Sequence, residues 1–176
     1  ARLKEAKNPV LVAGPDIDAA GAWDDAVALA EGQNLPVWAS PATGGGRLGF
    51  PESHPHWRGV LPPGIAAIAE VLKENDLILV VGSSVFPYYP YMPGDFLGEN
   101  SKLVQITSDP DEAARAPMGE AIVADVKLTL AALNGELDGT DRPAVEPWPG
   151  PTRMEETDPL NPSVVMNTLK DVLPED

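Results

Sequence analysis

The sequence predicts an α/β fold, a Rossmann-like parallel sheet of five or six strands with helices on both faces. Three observations carry that prediction. Short, continuous apolar runs recur along the first two-thirds of the chain, as in strands buried on both sides. Segments of helical period separate them, and consecutive parallel strands need such crossovers. Two of the runs end in glycine (Gly14 and Gly82), which lets the chain turn sharply out of a strand.

The first strand is read at Pro9-Val10-Leu11-Val12-Ala13-Gly14. Asp18 can then cap a helix in which Trp23, Ala26, Val27 and Ala30 recur at helical spacing. Pro36-Val37-Trp38-Ala39 is the second strand, and a long Gly/Pro-rich loop from Pro41 to Pro63 follows. Loops of that length in compact domains are usually functional. Pro62 and Pro63 open a helix with Ile65, Ile68, Ala69 and Leu72 on one face, and Leu77-Ile78-Leu79-Val80-Val81-Gly82 is the clearest strand. An irregular stretch from Ser83 to Leu97 carries Phe86, Tyr88, Tyr89, Tyr91 and Phe96, which either wall an apolar pocket or bury against a partner subunit. Lys102-Leu103-Val104-Gln105-Ile106-Thr107 is another strand. Asp109, Pro110 and Glu112 form a helix start, with a cap, a first-turn proline and an acid three residues on. Ala121-Ile122-Val123-Ala124 is the last strand, and Asp125 caps a helix to about Leu133.

Beyond that helix the pattern breaks. Pro143, Pro147, Pro149, Pro151, Pro159 and Pro162 interrupt a polar, acidic stretch without periodicity, an extended linker. Val165, Leu169 and Val172 then mark one amphipathic helix. The expected organisation is a domain over 1–137, a Pro-rich linker over 138–162 and the start of a further domain over 163–176.

Composition excludes several classes of function. Twenty-seven acidic residues against 12 basic ones give a net charge of −15, a field that repels a phosphate backbone and argues against nucleic-acid binding. No apolar run approaches the roughly 20 residues of a membrane span. Absence of cysteine removes disulfides, thiolate nucleophiles and cysteine metal sites. With no apolar signal core in Ala1-Arg2-Leu3-Lys4-Glu5, the expected compartment is the cytoplasm.

Candidate chemistry is sparse. The turn after the first strand reads Gly14-Pro15-Asp16-Ile17-Asp18, placing acids where a dinucleotide fingerprint needs glycines. Gly44-Gly45-Gly46 is better explained by turn geometry than by a phosphate. His54 and His56 are the only histidines, and both lie in the long loop. A loop histidine titrates near neutrality and either exchanges protons with a substrate or is merely solvated. Two histidines without cysteine give thin support for a metal, so no metal ligand is assigned. Ser84 with His54 would make a hydrolase pair, but no G-x-S-x-G elbow surrounds the serine.

Longer stretches carry a resemblance. The segment Phe50-Pro51-Glu52-Ser53-His54-Pro55-His56-Trp57-Arg58-Gly59-Val60-Leu61-Pro62-Pro63-Gly64-Ile65 resembles the middle domain of benzoylformate decarboxylases, within the thiamine-diphosphate-dependent 2-keto-acid decarboxylases. So do Gly14-Pro15-Asp16-Ile17-Asp18-Ala19-Ala20 and Val85-Phe86-Pro87-Tyr88. The run from Asp109 to Asp125 is similar almost residue for residue, and the likeness spans roughly residues 5 to 133. It implies a parent enzyme of three α/β domains in which thiamine diphosphate and Mg²⁺ are held by pyrimidine-binding and diphosphate-binding domains absent from this chain. It implies a 2-keto acid substrate, a homo-oligomer (commonly a tetramer), and no catalysis or cofactor binding by this segment alone. It also implies that His54 is the catalytic residue of the domain, reaching the substrate to assist binding or proton transfer. His56 and Trp57 depart from the small or aromatic pair usual there. The competing expectation is a stand-alone nucleotide-binding or regulatory module, since related middle domains in some members bind FAD or ADP.

Overall fold

A computed structural model of the chain describes residues 1–41, 46–86, 96–150, 155, 159 and 161–174. Six parallel strands form one sheet: β1 (Pro9–Ala13), β2 (Val37–Ala39), β3 (Trp57–Val60), β4 (Leu77–Val81), β5 (Lys102–Thr107) and β6 (Glu120–Val123). Their spatial order is β3-β2-β1-β4-β5-β6, which reverses direction between β1 and β4. This is the doubly wound arrangement that right-handed crossovers produce. All five residues of β1 and of β4 are buried, which explains why both read as unbroken apolar runs.

Alternation along the strands divides the core in two. Leu11, Ala13, Leu79, Val81, Val104 and Ile106 face one layer of helices: α2 (Pro15–Ala19), α3 (Trp23–Gln33) and α6 (Val126–Glu136). Val10, Val12, Ile78, Val80 and Leu103 face α4 (Ile65–Leu72) on the other side, with Phe86 and the half-buried Phe96 completing that half of the core. Of the aromatic segment, Phe86 and Phe96 therefore pack within this domain; Tyr88, Tyr89 and Tyr91 lie outside the described residues. The remaining helices are α1 (Arg2–Glu5), α5 (Pro110–Arg115) and α7 (Pro162–Val172).

Several expected boundaries move. The long loop contains β3, which pairs with β2 through a shifted register. The helix expected after Asp18 is two helices. α2 starts at Pro15 with Gly14 at its cap, so Asp18 lies inside it and pairs with Arg47 at 3.2 Å. α3 begins after Ala22, with no side-chain cap. Pro62 and Pro63 precede α4 rather than open it, because its cap is Gly64. Asp109 and Asp125 do cap α5 and α6, accepting from Asp111 and Glu112 N–H and from Leu128 N–H.

At the reversal point the carboxyl ends of β1 and β4 are pressed together. A Cβ on Gly14 would fall 2.1 Å from the Gly82 carbonyl oxygen, and one on Gly49 would fall 2.2 Å from the Gly14 oxygen. Only glycine permits these approaches. At the opposite edge of the sheet the segment after α6 is strapped down. Arg142 donates to the carbonyls of Leu3, Ala6 and Gln33 and to Gln33 Oε1, over 2.9–3.1 Å. Leu3 and Ala6 lie at the end of α1 and Gln33 ends α3, so one guanidinium satisfies orphan carbonyls of two helices. Asn34, left-handed at φ 49°, closes α3 and donates to the Arg142 carbonyl at 2.8 Å.

Strand β6 differs from the others. All four of its residues are exposed, and among the described residues it pairs only with β5. Ile122 and Val123 are 48% and 52% accessible, and Leu128 on α6 is 71% accessible.

Candidate functional site

The two edges of the sheet carry different chemistry. Doubly wound folds bind ligands at the carboxyl edge, where the strand order reverses. Among the described residues the Gly14, Gly49 and Gly82 backbones pack closely there, and Ser40 Oγ and Ser83 Oγ share a 2.6 Å hydrogen bond. Asp16 and Asp109 stand nearby; burial first, then the Asp109 charge, holds the Asp16 carboxyl above its ordinary range. Two acids and closely packed backbones make these described residues unsuited to a diphosphate. The described residues thus do not fit thiamine diphosphate, and no group of three or more potential metal ligands occurs among them. The same geometry disfavours a nucleotide there. Gly44 and Gly45 lie outside the described residues.

His54 occupies the other edge. The Val37 N–H that begins β2 donates to the His56 carbonyl at 2.9 Å, tying the loop to the amino-terminal end of the sheet. Within the loop, His54 N–H donates to the Pro51 carbonyl at 3.2 Å and Trp57 N–H to the His54 carbonyl at 2.9 Å. These two turns over Pro51–Trp57 fix the backbone on either side of the imidazole. Trp57, buried at the start of β3, anchors the far end.

The ring itself is constrained on three sides. The fully buried Phe50 meets it edge-on with centroids 5.0 Å apart, and His56 does the same from another direction. His56 N–H donates to His54 Nδ1 at 3.1 Å. Because Nδ1 accepts, the neutral imidazole carries its proton on Nε2. Nε2 lies 3.3 Å from Glu31 Oε1, on the last turns of α3. The His54 side chain is 13% accessible and that of Glu31 is 62% accessible, so the proton-bearing edge of a largely enclosed ring points to an exposed carboxylate.

His56 is different in kind. Burial first, and the neighbouring His54 second, hold its pKa below the ordinary histidine value, and its Nδ1 is buried without a hydrogen-bond partner. It is a neutral wall residue whose backbone does the work. Arg58 donates to the carbonyls of Pro55, Trp57 and Glu146, joining the loop to the strap that Arg142 holds. Ser83 donates toward Ser84 O and pairs with Ser40, and the structure gives His54 the partners Glu31 and His56 rather than a serine. The sequence singled out His54 but not Glu31, 23 positions away, whose role emerges only when α3 is folded against the loop.

Comparison with known proteins agrees with this architecture. Residues 1–133 match the thiamine pyrophosphate enzyme central-domain family. The chain is 47% identical over 176 residues to a benzoylformate decarboxylase of Pseudomonas aeruginosa, covering 99% of the chain and 33% of that protein. Among solved structures it is similar to a thiamine diphosphate-dependent 4-hydroxybenzoylformate decarboxylase of Rhodococcus jostii, with TM-score 0.89 and 42% identity, over 99% of this chain and 33% of that one. A benzoylformate decarboxylase from Polynucleobacter necessarius superposes with TM-score 0.91 at 36% identity, again over 99% and 33%. The chain spans about a third of the length of these relatives. Fold, strand order and sequence along residues 1–133 agree: the chain belongs to the central domains of the thiamine pyrophosphate enzymes.

Proposed function

We propose that this chain is the central domain of a thiamine-diphosphate-dependent decarboxylase of aryl 2-keto acids such as benzoylformate, and that it supplies that enzyme with scaffold and with His54. The observation that carries the reading is the 47% identity to a benzoylformate decarboxylase over 176 residues, and the enclosed His54 supports its second half. On this reading residues 1–137 form the central domain, 138–162 the linker and 163–176 the opening of the diphosphate-binding domain. Pyrimidine-binding and diphosphate-binding domains, a tetrameric assembly, a bound Mg²⁺ and a cytoplasmic setting belong to the same proposal. So does the inactivity of the chain by itself, a reading supported by the poor fit of its described residues to the cofactor.

What the chain contributes chemically follows from the ring. With Nδ1 occupied by a backbone N–H, His54 presents Nε2–H as a hydrogen-bond donor. Such a donor suits a 2-keto acid, whose carboxylate and keto oxygens accept hydrogen bonds. Enclosure by Phe50 and His56 restricts the directions in which the ring can turn.

The test is CO₂ release from benzoylformate by the full-length enzyme, with and without thiamine diphosphate and Mg²⁺, beside His54→Ala. Turnover that needs the cofactor and falls by roughly 10²-fold in the variant is expected, within the range a placed acid–base group supplies. Full turnover in the variant would leave the enzyme class standing and remove His54 from the active site. Absence of turnover on benzoylformate and other 2-keto acids would overturn the activity.

A further inference from the structure

We infer that Glu31 is the positioning residue for His54, holding the Nε2–H edge of the imidazole in the orientation that meets substrate; this rests on the functional reading of His54 above. The structure gives the imidazole one partner for each of its two tasks, a donor at Nδ1 and an acceptor at Nε2. His56 N–H fixes which nitrogen carries the proton, at 3.1 Å. Glu31 Oε1, at 3.3 Å, receives that proton and so fixes where it points. Without the carboxylate, the ring keeps its tautomer and its contacts with Phe50 and His56, but loses the Nε2 acceptor that narrows its rotation about the Cβ–Cγ bond, a broad torsion with two-fold wells.

The carboxylate comes from a rigid source. Glu31 lies on the last full turns of α3, and the left-handed Asn34 terminates the helix, with its N–H donating to the Glu31 carbonyl at 3.3 Å. Arg142 holds that helix end from outside through the Gln33 carbonyl. The orientation of His54 is therefore set from a helix rather than from its own loop. Glu31 on α3 and His56 in the loop are the titratable groups that meet the ring directly, and His54, Glu31 and Arg58 on β3 interact electrostatically around His56. Glu31 is the acid among them. Its 62% exposure leaves room for a substrate oxygen to take over the Nε2 proton as an acceptor when it arrives.

The experiment uses the full-length holoenzyme turning over benzoylformate. Four variants are compared with wild type: Glu31→Ala, Glu31→Gln, His54→Ala and the Glu31→Ala/His54→Ala double variant. Glu31→Ala is expected to lower kcat about tenfold while KM stays within about twofold, as for an interaction that orients a reacting group. Glu31→Gln retains an acceptor oxygen and is expected to recover to within about threefold of wild type. In the His54→Ala background the further Glu31→Ala change is expected to cost nothing, because its only effect passes through the ring. An enzyme impaired by His54→Ala but indifferent to Glu31→Ala overturns the role of Glu31 alone. Losses that multiply in the double variant overturn it too, by showing a contribution independent of His54. Wild-type rates in His54→Ala would sink the reading of His54 and the role of Glu31 with it.

Discussion

His54 and His56 show how two identical side chains, two positions apart, are given different tasks by their surroundings. His56 is held neutral by burial and by its neighbour, with its pKa depressed. The sign for stability follows. The unfolded chain, with an ordinary histidine, takes up a proton first as pH falls through about 6.5, so folding loses ground below that pH and gains nothing above it. We expect the melting temperature of the chain to drop between pH 7.5 and 5.5, and His56→Asn to reduce that drop by about 2 °C, a small share because the ring is partly solvated. Thermal melts of the two proteins across that range would check it; parallel curves would mean the neutral form of His56 is not selected by the fold. The sequence placed both histidines in a functional loop, and the family likeness separated them. It could not show that the His56 backbone as well as its ring serves His54, since that contact depends on two turns whose hydrogen bonds each join residues three apart.

Elements with a strong period were legible, and the edge elements were not. β1 and β4 are buried on both faces and read as apolar runs. β3 escaped because Trp57-Arg58-Gly59-Val60 has one buried residue, no alternation and a glycine at φ 105°. Its pairing is set by contact with β2 and not by its own propensity. α2 was likewise hidden, since Gly14-Pro15-Asp16 reads as a turn until Pro15 is seen as a first-turn proline. The strap after α6 was identified as a linker, but its attachment by Arg142 involves partners more than 100 residues away. That attachment has a measurable value. Arg142→Ala should destabilise the chain by about 2 kcal/mol, the usual cost of losing a multiply bonded charged donor, and Arg142→Lys should recover less than half because an ammonium cannot span two helix ends. Urea titrations would show this as a lower midpoint at unchanged slope. An unaltered midpoint would make the strap an ornament of the fold.

At the scale of the molecule, the sheet has one well-covered centre and one open flank. β6 is the final strand, exposed on all four residues including the apolar Ile122 and Val123, and among the described residues its outer backbone edge has no paired strand. Such an edge is a template on which another extended chain can grow. For the chain in solution the consequence is colloidal. Above some concentration, copies should stick edge to edge, even though −15 net charges keep them apart at long range, and added salt should hasten the process by screening that repulsion. Val123→Lys, on the rim, should suppress light scattering in high salt while leaving the melting temperature within about 2 °C; undiminished scattering would locate the adhesive surface elsewhere. Repulsion between whole molecules and adhesion along one strand act over different distances, so the salt concentration of the buffer decides how long a preparation of this chain stays clear.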